Sequence, residues 1–424
     1  MVNISNKILS IRKRLKGGET RTLLTNFLSL SFLQVASYIF PLLTVPYLAH
    51  VIGIERYGEI AFATAIMIYF QTLVDYGFVF SAVRDIARCR KDYDQVSAIY
   101  SKVMWARVLL LLLSFTILII LIILVPKFWS MKWVLLASFL MVIGHLMFPD
   151  WMFQALEKMK YITIFNVIVK LIFTGAVFIF IRNPNDYLLQ PIFTSVGYIV
   201  SGIGAMWLIH KWGIQIYMPV WNDIRKSIKS NFDLFLNELV PSLYNSASVL
   251  LLGFFHGDAA NGVFDAASRF NTAGARFFSI VSRTFYPFLS RRMDKHGFFQ
   301  RLNLTIATVI AILLFLLAPI IIGKLFPSDF DGAIIVLRII SISLIFLSMT
   351  NIYGTNYLII MGYEKEMRKI TVISSITGII IAVPLVYFYS YIGVALTITI
   401  SRLMVGLQSY LKAHRIMKAN TKRI

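Results

Sequence analysis

Residues 103–126 read VMWARVLLLLLSFTILIILIILVP, with a single charged residue, Arg107, near the beginning. A helix of about 20 consecutive apolar residues is long enough to cross the hydrocarbon core of a bilayer, which is roughly 30 Å thick. This stretch therefore predicts a membrane-spanning helix, and window hydropathy extends the same test to the rest of the chain.

Twelve segments of spanning length result from this test. Segments 230–255 and 259–288 also contain Asn, Asp, Glu and Arg, and they are assigned as helices from the spacing of their neighbours. We predict an all-α membrane protein with twelve transmembrane helices. Their ranges are 22–48, 58–82, 103–126, 132–155, 161–181, 187–210, 230–255, 259–288, 302–325, 333–360, 367–388 and 391–411.

The composition fits a chain that is mostly surrounded by lipid, because 58% of its 424 residues are hydrophobic and only 14% are charged. Soluble domains contain about 45–50% apolar and about 25% charged residues, so an ordinary cytosolic enzyme and a disordered protein are excluded. The one cysteine is Cys89, the six histidines lack ligand spacing, and the sequence has no nucleotide-binding or nucleophile motif. We predict a transporter rather than an enzyme, with no metal and no cofactor.

Basic residues are distributed unevenly along the chain, which has 41 Lys and Arg against 20 Asp and Glu. In a soluble protein this excess would suggest nucleic acid, but the cytoplasmic loops of membrane proteins also collect Lys and Arg. Alternate connections between the predicted spans hold 30 basic residues on one side and 5 on the other. The bias predicts that both termini are cytoplasmic. The basic loop and tail are then expected to contact anionic membrane lipids, with no nucleic-acid partner.

The sequence contains weak signs of an internal repeat. Gly53-Ile-Glu-Arg-Tyr-Gly58 matches Gly257-Asp-Ala-Ala-Asn-Gly262 at an offset of 204 residues, and Glu157-Lys158 recurs as Glu364-Lys365. Gly and Glu-Lys are also common at helix ends, which is the simpler explanation. We interpret the markers jointly as two pseudo-symmetric six-helix bundles with a binding site between them. The predicted units are a basic segment 1–21, an N-lobe 22–215, a C-lobe 216–411 and a basic tail 412–424.

Three motif-bearing stretches lie within the first 160 residues. They are Pro41-Leu-Leu-Thr-Val-Pro-Tyr-Leu48 with Val51-Ile-Gly53 and Tyr57-Gly58; Tyr69-Phe70 with Asp75-Tyr-Gly-Phe78, Ser81-Ala82 and Arg84-Asp-Ile-Ala87; and Pro149-Asp-Trp-Met-Phe-Gln154 with Leu156-Glu-Lys-Met-Lys160. These stretches resemble the Wzx-type O-antigen flippases of bacterial polysaccharide synthesis. The superfamily of those proteins also contains lipid II flippases and MATE-type exporters.

The resemblance implies twelve helices in two bundles and a substrate made of an oligosaccharide repeat unit linked through pyrophosphate to undecaprenol. The implied activity is the flipping of this lipid from the cytoplasmic to the periplasmic leaflet of the bacterial inner membrane. A polysaccharide polymerase and a chain-length regulator are further partners to consider. Lipid II flippases resemble one another in having fourteen helices and arginine within the first helix, whereas here twelve helices are predicted and the first has only Arg21, at its end.

An arginine ladder in the eighth predicted span is the main candidate for binding the substrate. Arg269, Arg276 and Arg283 are seven residues apart, so successive members are only about 20° apart on the helix surface. An arginine at mid-bilayer costs about 2.5–3.5 kcal/mol, so three of them are expected to face a hydrated cavity. The guanidinium fork suits a phosphate. The alternative is structural: Asp265 lies four residues before Arg269, and Arg283 lies near the inner surface.

Other charged residues within predicted spans are secondary candidates. Lys170, Arg338 and Arg402 are expected to line the cavity. The alternative is an ion pair within the membrane or, for Arg338, a position near the outer rim. Glu238 and Asp265 are candidates for ion coupling, because a buried carboxylate can exchange a proton between two conformations. Asp75 and Asp150 are interpreted instead as structural acids that tie loops to Arg84 or Lys158.

The sequence thus favours a flippase that works by alternating access and is coupled to an ion gradient. An ion-coupled MATE-type exporter of small molecules is the main alternative, although a cationic substrate would require acidic residues in the cavity. A membrane-embedded polysaccharide polymerase or ligase is a weaker alternative, because the predicted outer loops are all short.

Overall fold

The computed structural model describes residues 18–421, and it describes the side chains of residues 40–418 except at positions 41, 237–238, 240–245, 280, 283–284 and 287. All regular structure in those residues is helical. The α-helices are α1 (Gly18–Asp75), α2 (Phe78–Cys89), α3 (Tyr93–Leu124), α4 (Pro126–Ser130), α5 (Lys132–Met147), α6 (Asp150–Ala155), α7 (Lys160–Phe180), α8 (Leu189–Lys211), α9 (Trp221–Leu289), α10 (His296–Leu325), α11 (Gly332–Met349) and α12 (Glu364–Thr421). Short 3₁₀ turns cover Pro184–Leu188, Met293–Lys295 and Ser328–Phe330, and a π-helix, Thr350–Ile359, extends α11.

Three of these helices are much longer than a bilayer is thick, and each contains one residue outside the helical region. Gly53 (φ 76°) interrupts α1, Gly257 (φ 81°) interrupts α9 and Ser390 (φ 51°) interrupts α12. Glycine adopts a positive φ without a steric penalty, which explains its use at the first two breaks. All three breaks fall between spans that hydropathy separates.

Two predicted spans end differently in the structure. The predicted span 58–82 breaks after Asp75, because Tyr76 and Gly77 both have positive φ, and the chain continues as the separate helix α2. The predicted span 132–155 breaks at Phe148 and Pro149, which separate α5 from α6. The residue before a proline is disfavoured in the helical region, which accounts for the second break.

Many helices of this protein are suited to a membrane. Eight helical stretches among the described residues are long and apolar enough to cross one. Two of them, Leu42–Cys89 and Glu364–Lys418, are 48 and 55 residues long and contain the breaks at Gly53 and Ser390. Large apolar side chains such as Leu124 and Ile123 are 70% and 65% exposed on the outer face of α3. Such exposure fits lipid rather than water, and the chain is a multi-pass membrane protein.

The helices up to residue 215 form what we call the N-terminal half, and those from residue 216 form the C-terminal half. The two halves meet first at the outer contact, named for the predicted topology, where α1 packs against α9. A Cβ on Gly58 would overlap the carbonyl oxygen of Asp258, and a Cβ on Gly262 would lie 2.8 Å from the carbonyl oxygen of Ile54. Beside these glycines, Lys127 Nζ donates to Asp258 Oδ1 at 2.8 Å.

The halves meet again at the inner contact, at the opposite end of the predicted membrane region. The rings of Tyr76 and Phe235 stack with their centroids 4.6 Å apart and their planes within 10°. A Cβ on Gly77 would lie 2.5 Å from the Cβ of Leu234. Gly77 is therefore required twice, for its positive φ and for this close approach.

Candidate functional site

A central cavity of about 670 Å³ lies between the two halves. The N-terminal half contributes α1 side chains such as Thr64 and Ile68, and most of the remaining wall comes from α9. The polar and charged residues that line it are Thr64, Ser246, Asp265, Ser268, Arg269, Asn271, Thr272, Arg276, Ser279, Asn351 and Arg402.

The structure places two members of the predicted arginine ladder in this cavity. Arg269 and Arg276 lie two turns apart on α9 and both line its wall, with Arg276 exposed and Arg269 half-buried. The seven-residue spacing is the reason that they share a face. The side chain of Arg283 lies outside the described residues, as does that of Glu238, so their predicted roles stay predictions.

Arg402 enters the same cavity from α12. Its Nη1 donates to Ser343 Oγ at 2.7 Å. The buried Asn271 amide, in the orientation that satisfies both of its ends, accepts from Arg402 Nη1 at 3.2 Å and donates to the Ile340 carbonyl at 2.9 Å. These contacts fix the direction of the Arg402 guanidinium between α11, through Ser343, and α9, through Asn271.

Asp265 occupies the junction between the halves. Arg269 Nε donates to Asp265 Oδ2 at 2.9 Å, and the hydroxyl of Tyr57, from α1, donates to the same carboxylate oxygen. The ion pair anticipated by the structural alternative is therefore present. Of these two bonds, the one from Tyr57 joins the N-terminal half to the C-terminal half. Asp265 therefore connects the wall of the cavity to the residue next to Gly58.

A second cavity, of about 370 Å³, lies within the N-terminal half and contains Lys170. Ala61, Thr64, Asp265 and Arg269 line both cavities, so the two spaces adjoin. The wall of the N-terminal cavity is rich in neutral hydrogen-bonding groups. They are Thr44, Tyr57, Thr64, Ser138, Asn166, Thr174, Gln190, Thr194, Ser195, Tyr198 and Ser201.

Arg338, one of the secondary candidates, does not line either of these two cavities. Its guanidinium lies 5.4 Å from the centroid of the Phe315 ring, and its buried Nε has no protein hydrogen-bond acceptor among the described residues. Arg338 therefore sits against α10, on a different side of the C-terminal half from Arg276 and Arg402.

Comparison with known proteins gives the family. A model of the family described as polysaccharide biosynthesis protein matches residues 23–293. The chain belongs to this polysaccharide biosynthesis protein family. The match covers the N-terminal half, the breaks at Gly53 and Gly257, and the α9 arginines.

Individual members of the polysaccharide biosynthesis protein family extend the similarity to most of the chain. A candidate O-antigen transporter of Escherichia coli (strain K12) is 29% identical over 390 residues, which are 90% of this chain and 94% of that protein. A protein of the same description from Shigella dysenteriae is 26% identical over 90% of this chain and 98% of its own length.

Solved structures of other transporters share the fold. The inward closed conformation of the lipid II flippase MurJ superposes with a TM-score of 0.73 at 16% identity, over 92% of this chain and 87% of that one. An inward-facing multidrug resistance transporter of the MATE family, in the MOP superfamily, gives a TM-score of 0.67 at 13% identity, over 91% and 99% of the two chains. At these identities the likeness shows the fold alone.

The predicted partners of Asp75 were wrong. Its carboxylate accepts from Arg107 Nη2 at 2.6 Å and lies 2.9 Å from His145 Nε2. Arg84 instead pairs with the neighbouring Asp85, at 2.9 Å.

Lys158 is likewise not a partner of these acids. Its Nζ lies 3.5 Å from the centroid of the Trp212 ring. The partial burial of the Lys158 ammonium lowers its pKa. Asp150 accepts from Gln154 at 3.3 Å.

Arg107 lies in the predicted span 103–126, but sequence reasoning assigned it no role in the site. The side chain of Arg107 is only 2% exposed, so it is a buried charge of the N-terminal half of this polysaccharide biosynthesis protein. The signal was present in the stretch 103–126, where Arg107 is the lone charge in an apolar run. An ionisable residue inside a membrane span is a functional candidate by default.

Proposed function

We propose that this protein is a flippase that moves an oligosaccharide linked through pyrophosphate to undecaprenol from the cytoplasmic to the periplasmic leaflet of the bacterial inner membrane. It works by alternating access between two six-helix lobes, 22–215 and 216–411, with both termini in the cytoplasm. The observation that carries the proposal is the central cavity between the halves, with Arg269, Arg276 and Arg402 in its wall.

The number of helical segments supports this architecture. Within residues 18–421, nine long helical units, counting the π-helix with α11, become twelve segments when α1, α9 and α12 are divided at their breaks. An even number of spans returns the chain to the side where it began. The outer contact supports the repeat, because the offset of 204 residues relates Gly58 to Gly262 and Ile54 to Asp258.

The chemistry of the cavity suits a pyrophosphate. A charge left unpaired in hydrocarbon is very costly, whereas the lipid tail is stable in the bilayer, so the protein has to provide a path for the head group only. Guanidinium groups bind phosphate oxygens through two parallel hydrogen bonds. Arg276 and Arg402 reach the cavity from α9 and α12, so one phosphate group between them would be held from two helices.

The adjoining N-terminal cavity suits a sugar. Its wall is lined by hydroxyls and amides such as Thr194, Asn166 and Gln190, together with apolar side chains such as Phe173 and Phe193. Sugars present hydroxyl groups at their edges and apolar C–H faces, so they match a wall of this mixed kind. Lys170 adds a cation to the same wall.

Ion coupling is part of the proposal, with Asp265 and Glu238 as its candidates in the C-terminal half. Asp265 has partners in both halves, Tyr57 and Arg269, so a change in its charge would alter an inter-half bond. A polysaccharide polymerase and a chain-length regulator are proposed partners that receive the flipped lipid.

The rival function, export of cationic small molecules, is disfavoured by the charges of the central cavity. Asp265 is the one acid among its described lining residues, and Arg269 pairs with it. A cationic substrate would meet Arg276 and Arg402 and would be repelled.

The test is flipping of the lipid-linked oligosaccharide in proteoliposomes that contain the full chain. Charge-assisted hydrogen bonds contribute about 1.5–3 kcal/mol, so Arg276→Ala is expected to reduce transport by roughly tenfold to a hundredfold. Arg276→Lys keeps the charge without the fork and should be intermediate. Arg338→Ala is the matched control and should transport normally. Normal transport by Arg276→Ala, or transport of organic cations instead of the lipid, would contradict the proposal.

A further inference from the structure

Asp75, Arg107 and His145 form a buried cluster that the proposed transport route does not use. They come from α1, α3 and α5, and their side chains are 18%, 2% and 29% exposed. Arg107 also donates to the Leu146 carbonyl at 3.4 Å, at the end of α5. The cluster therefore joins three helices of the N-terminal half at one point.

This cluster lies directly beside the inner contact. Asp75 is the last residue of α1, and the next two residues, Tyr76 and Gly77, are the ones that touch Phe235 and Leu234 of the C-terminal half. A movement of Asp75 is transmitted through one peptide bond to Tyr76. The inner contact is thus held in place by the ion pairs of Asp75.

The charge of the cluster depends on a single proton. The charged groups that act on His145 are Asp75 from α1, Arg107 from α3 and Asp150 from α6. The cluster itself has one carboxylate and one guanidinium, and the neighbouring carboxylate of Asp150 brings the local net charge to −1, which an imidazolium at His145 brings to zero. A buried net charge is costly, so the closed packing is most stable when His145 carries the proton.

Other groups near His145 do not change this count. The α8 residues that approach Gly144, the neighbour of His145, are Tyr198 and Ile199. On α3, Tyr100 lies about two turns before Arg107. Tyrosine side chains are uncharged near neutral pH. On α9, Asp233 is exposed to solvent, and the side chain of Glu238 lies outside the described residues.

We infer that the Asp75–Arg107–His145 cluster is the binding site of a coupling proton, with His145 as the group that takes it up, and that proton binding there stabilises the inner contact. Histidine is the side chain that ordinarily titrates between pH 5 and 8. Loss of the proton leaves a buried negative charge, which is relieved when the inner contact opens and water enters. This inference rests on the proposed function and deepens it, since it assigns the coupled ion to this cluster of the N-terminal half instead of to Asp265 or Glu238.

The first experiment measures the inner contact without any substrate. Spin labels are placed at exposed positions on either side, by Lys91→Cys and Lys229→Cys in a Cys89→Ser chain, and the distance between them is recorded from pH 5.5 to pH 8. The ratio of short to long distances should fall by a factor of about three to ten as the pH rises, as linkage to one proton predicts. His145→Gln should abolish the pH dependence, and His210→Gln, an exposed histidine of the same half, should keep it.

A second pair of variants guards against misfolding. Asp75→Asn leaves Arg107 without a carboxylate, so the double variant Asp75→Asn, Arg107→Gln removes both charges while keeping amide hydrogen bonds. By this charge count, Asp75→Asn removes the advantage of the proton, so its ratio of short to long distances should no longer fall as the pH rises. The double variant leaves Asp150 to be neutralised and should regain part of that fall, with the folding of both variants checked by thermal unfolding. A pH-independent distance in the parent chain, or an unchanged pH dependence in His145→Gln, overturns the inference.

Transport then separates the inference from the function on which it rests. In proteoliposomes with an imposed pH gradient, His145→Gln should lose the stimulation of flipping by the gradient and keep the exchange of lipid-linked oligosaccharide without one. If the parent chain moves no lipid-linked oligosaccharide at all, the proposed function fails while the distance measurement still decides the proton site. If His145→Gln responds to the gradient like the parent, the proton site is wrong and the flippase stands.

Discussion

The outer contact joins the two halves through backbone, whereas the inner contact joins them through side chains. At the outer contact, Gly58 and Gly262 bring α1 and α9 so close that neither could carry a Cβ without displacing a carbonyl group. At the inner contact, the halves meet through the stacked rings of Tyr76 and Phe235. Both contacts involve α9, and on the other side α1 or the two residues that directly follow it, so their difference comes from a few residues at each end.

The two contacts also differ in symmetry and in charge. The 204-residue offset relates the two close approaches of the outer contact to one another, but it places Ser279 and Ala311 where the N-terminal half has Asp75 and Arg107. The buried ion cluster therefore has no counterpart at the equivalent positions of the C-terminal half. The outer contact therefore depends on the absence of side chains at two glycines, whereas the inner contact depends on the charge of the neighbouring ion cluster.

The largest effect is expected from added volume at the outer contact. Gly58→Val places a branched side chain on the Asp258 carbonyl group, and overpacking of this kind costs about 3 kcal/mol, which shifts the closed population roughly a hundredfold. Labels at Arg182→Cys and Lys324→Cys in the Cys89→Ser chain should report a longer distance, and flipping should fall to background.

The matched control for this variant is Gly175→Val, since no atom lies within 4 Å of a Cβ at Gly175. Gly262→Ala should have a smaller effect than Gly58→Val, because the nearest atom to its Cβ, the Ile54 carbonyl oxygen, is 2.8 Å away. An unchanged distance in Gly58→Val would show that the outer contact does not depend on close backbone approach.

A smaller effect is expected from the ion pair at the rim of the outer contact. Lys127 donates to Asp258 and, at 2.6 Å, to the Gly253 carbonyl group, and the side chains of the pair are 21% and 30% exposed. Lys127→Met should weaken outer closure by roughly 1–2 kcal/mol, because it leaves a partly buried carboxylate and a carbonyl group unpaired.

The same outer labels check this prediction at low and high salt, with Lys127→Met compared to the parent. The effect should persist at high salt, since a partly buried pair is screened less than an exposed one. Lys132→Met is the control on the same side, since Lys132 Nζ lies 4.1 Å from the centroid of the Trp129 ring of its own half. A distance distribution in Lys127→Met equal to that of the parent would assign outer closure to the glycines alone.

Much of the fold could be predicted because hydropathy is a local property. Ser390 falls in the gap between the predicted spans 367–388 and 391–411, and Gly53 and Gly257 fall in similar gaps. The ladder of Arg269 and Arg276 could be predicted for the same reason, since the seven-residue spacing fixes the face that they share on one helix.

What could not be predicted depends on packing between distant segments. The two partners of Asp75 lie far from it in the sequence. Arg107 is 32 residues away and His145 is 70 residues away. Arg338 and Arg402 have similar apolar surroundings in the sequence, yet Arg402 lines the central cavity and Arg338 contacts Phe315. Which side of a helix faces a cavity is decided by its neighbours, and one span's sequence does not contain that information.

The smallest effect is expected from the ring stack of the inner contact. An aromatic pair contributes about 0.5–1.5 kcal/mol beyond its buried area, so Tyr76→Ala, Phe235→Ala and the double variant should give a coupling energy in that range for inner closure, measured with the Lys91 and Lys229 labels. Phe180→Ala, which removes a ring contact within the N-terminal half, is the control and should leave the distance unchanged. Additive effects of the two single variants would mean that the rings touch without holding the halves together, and that Gly77 against Leu234 forms the inner contact. In that case the coupling between the ion cluster and the opposite half would run through the backbone at Gly77, and the two contacts would be more alike than their side chains indicate.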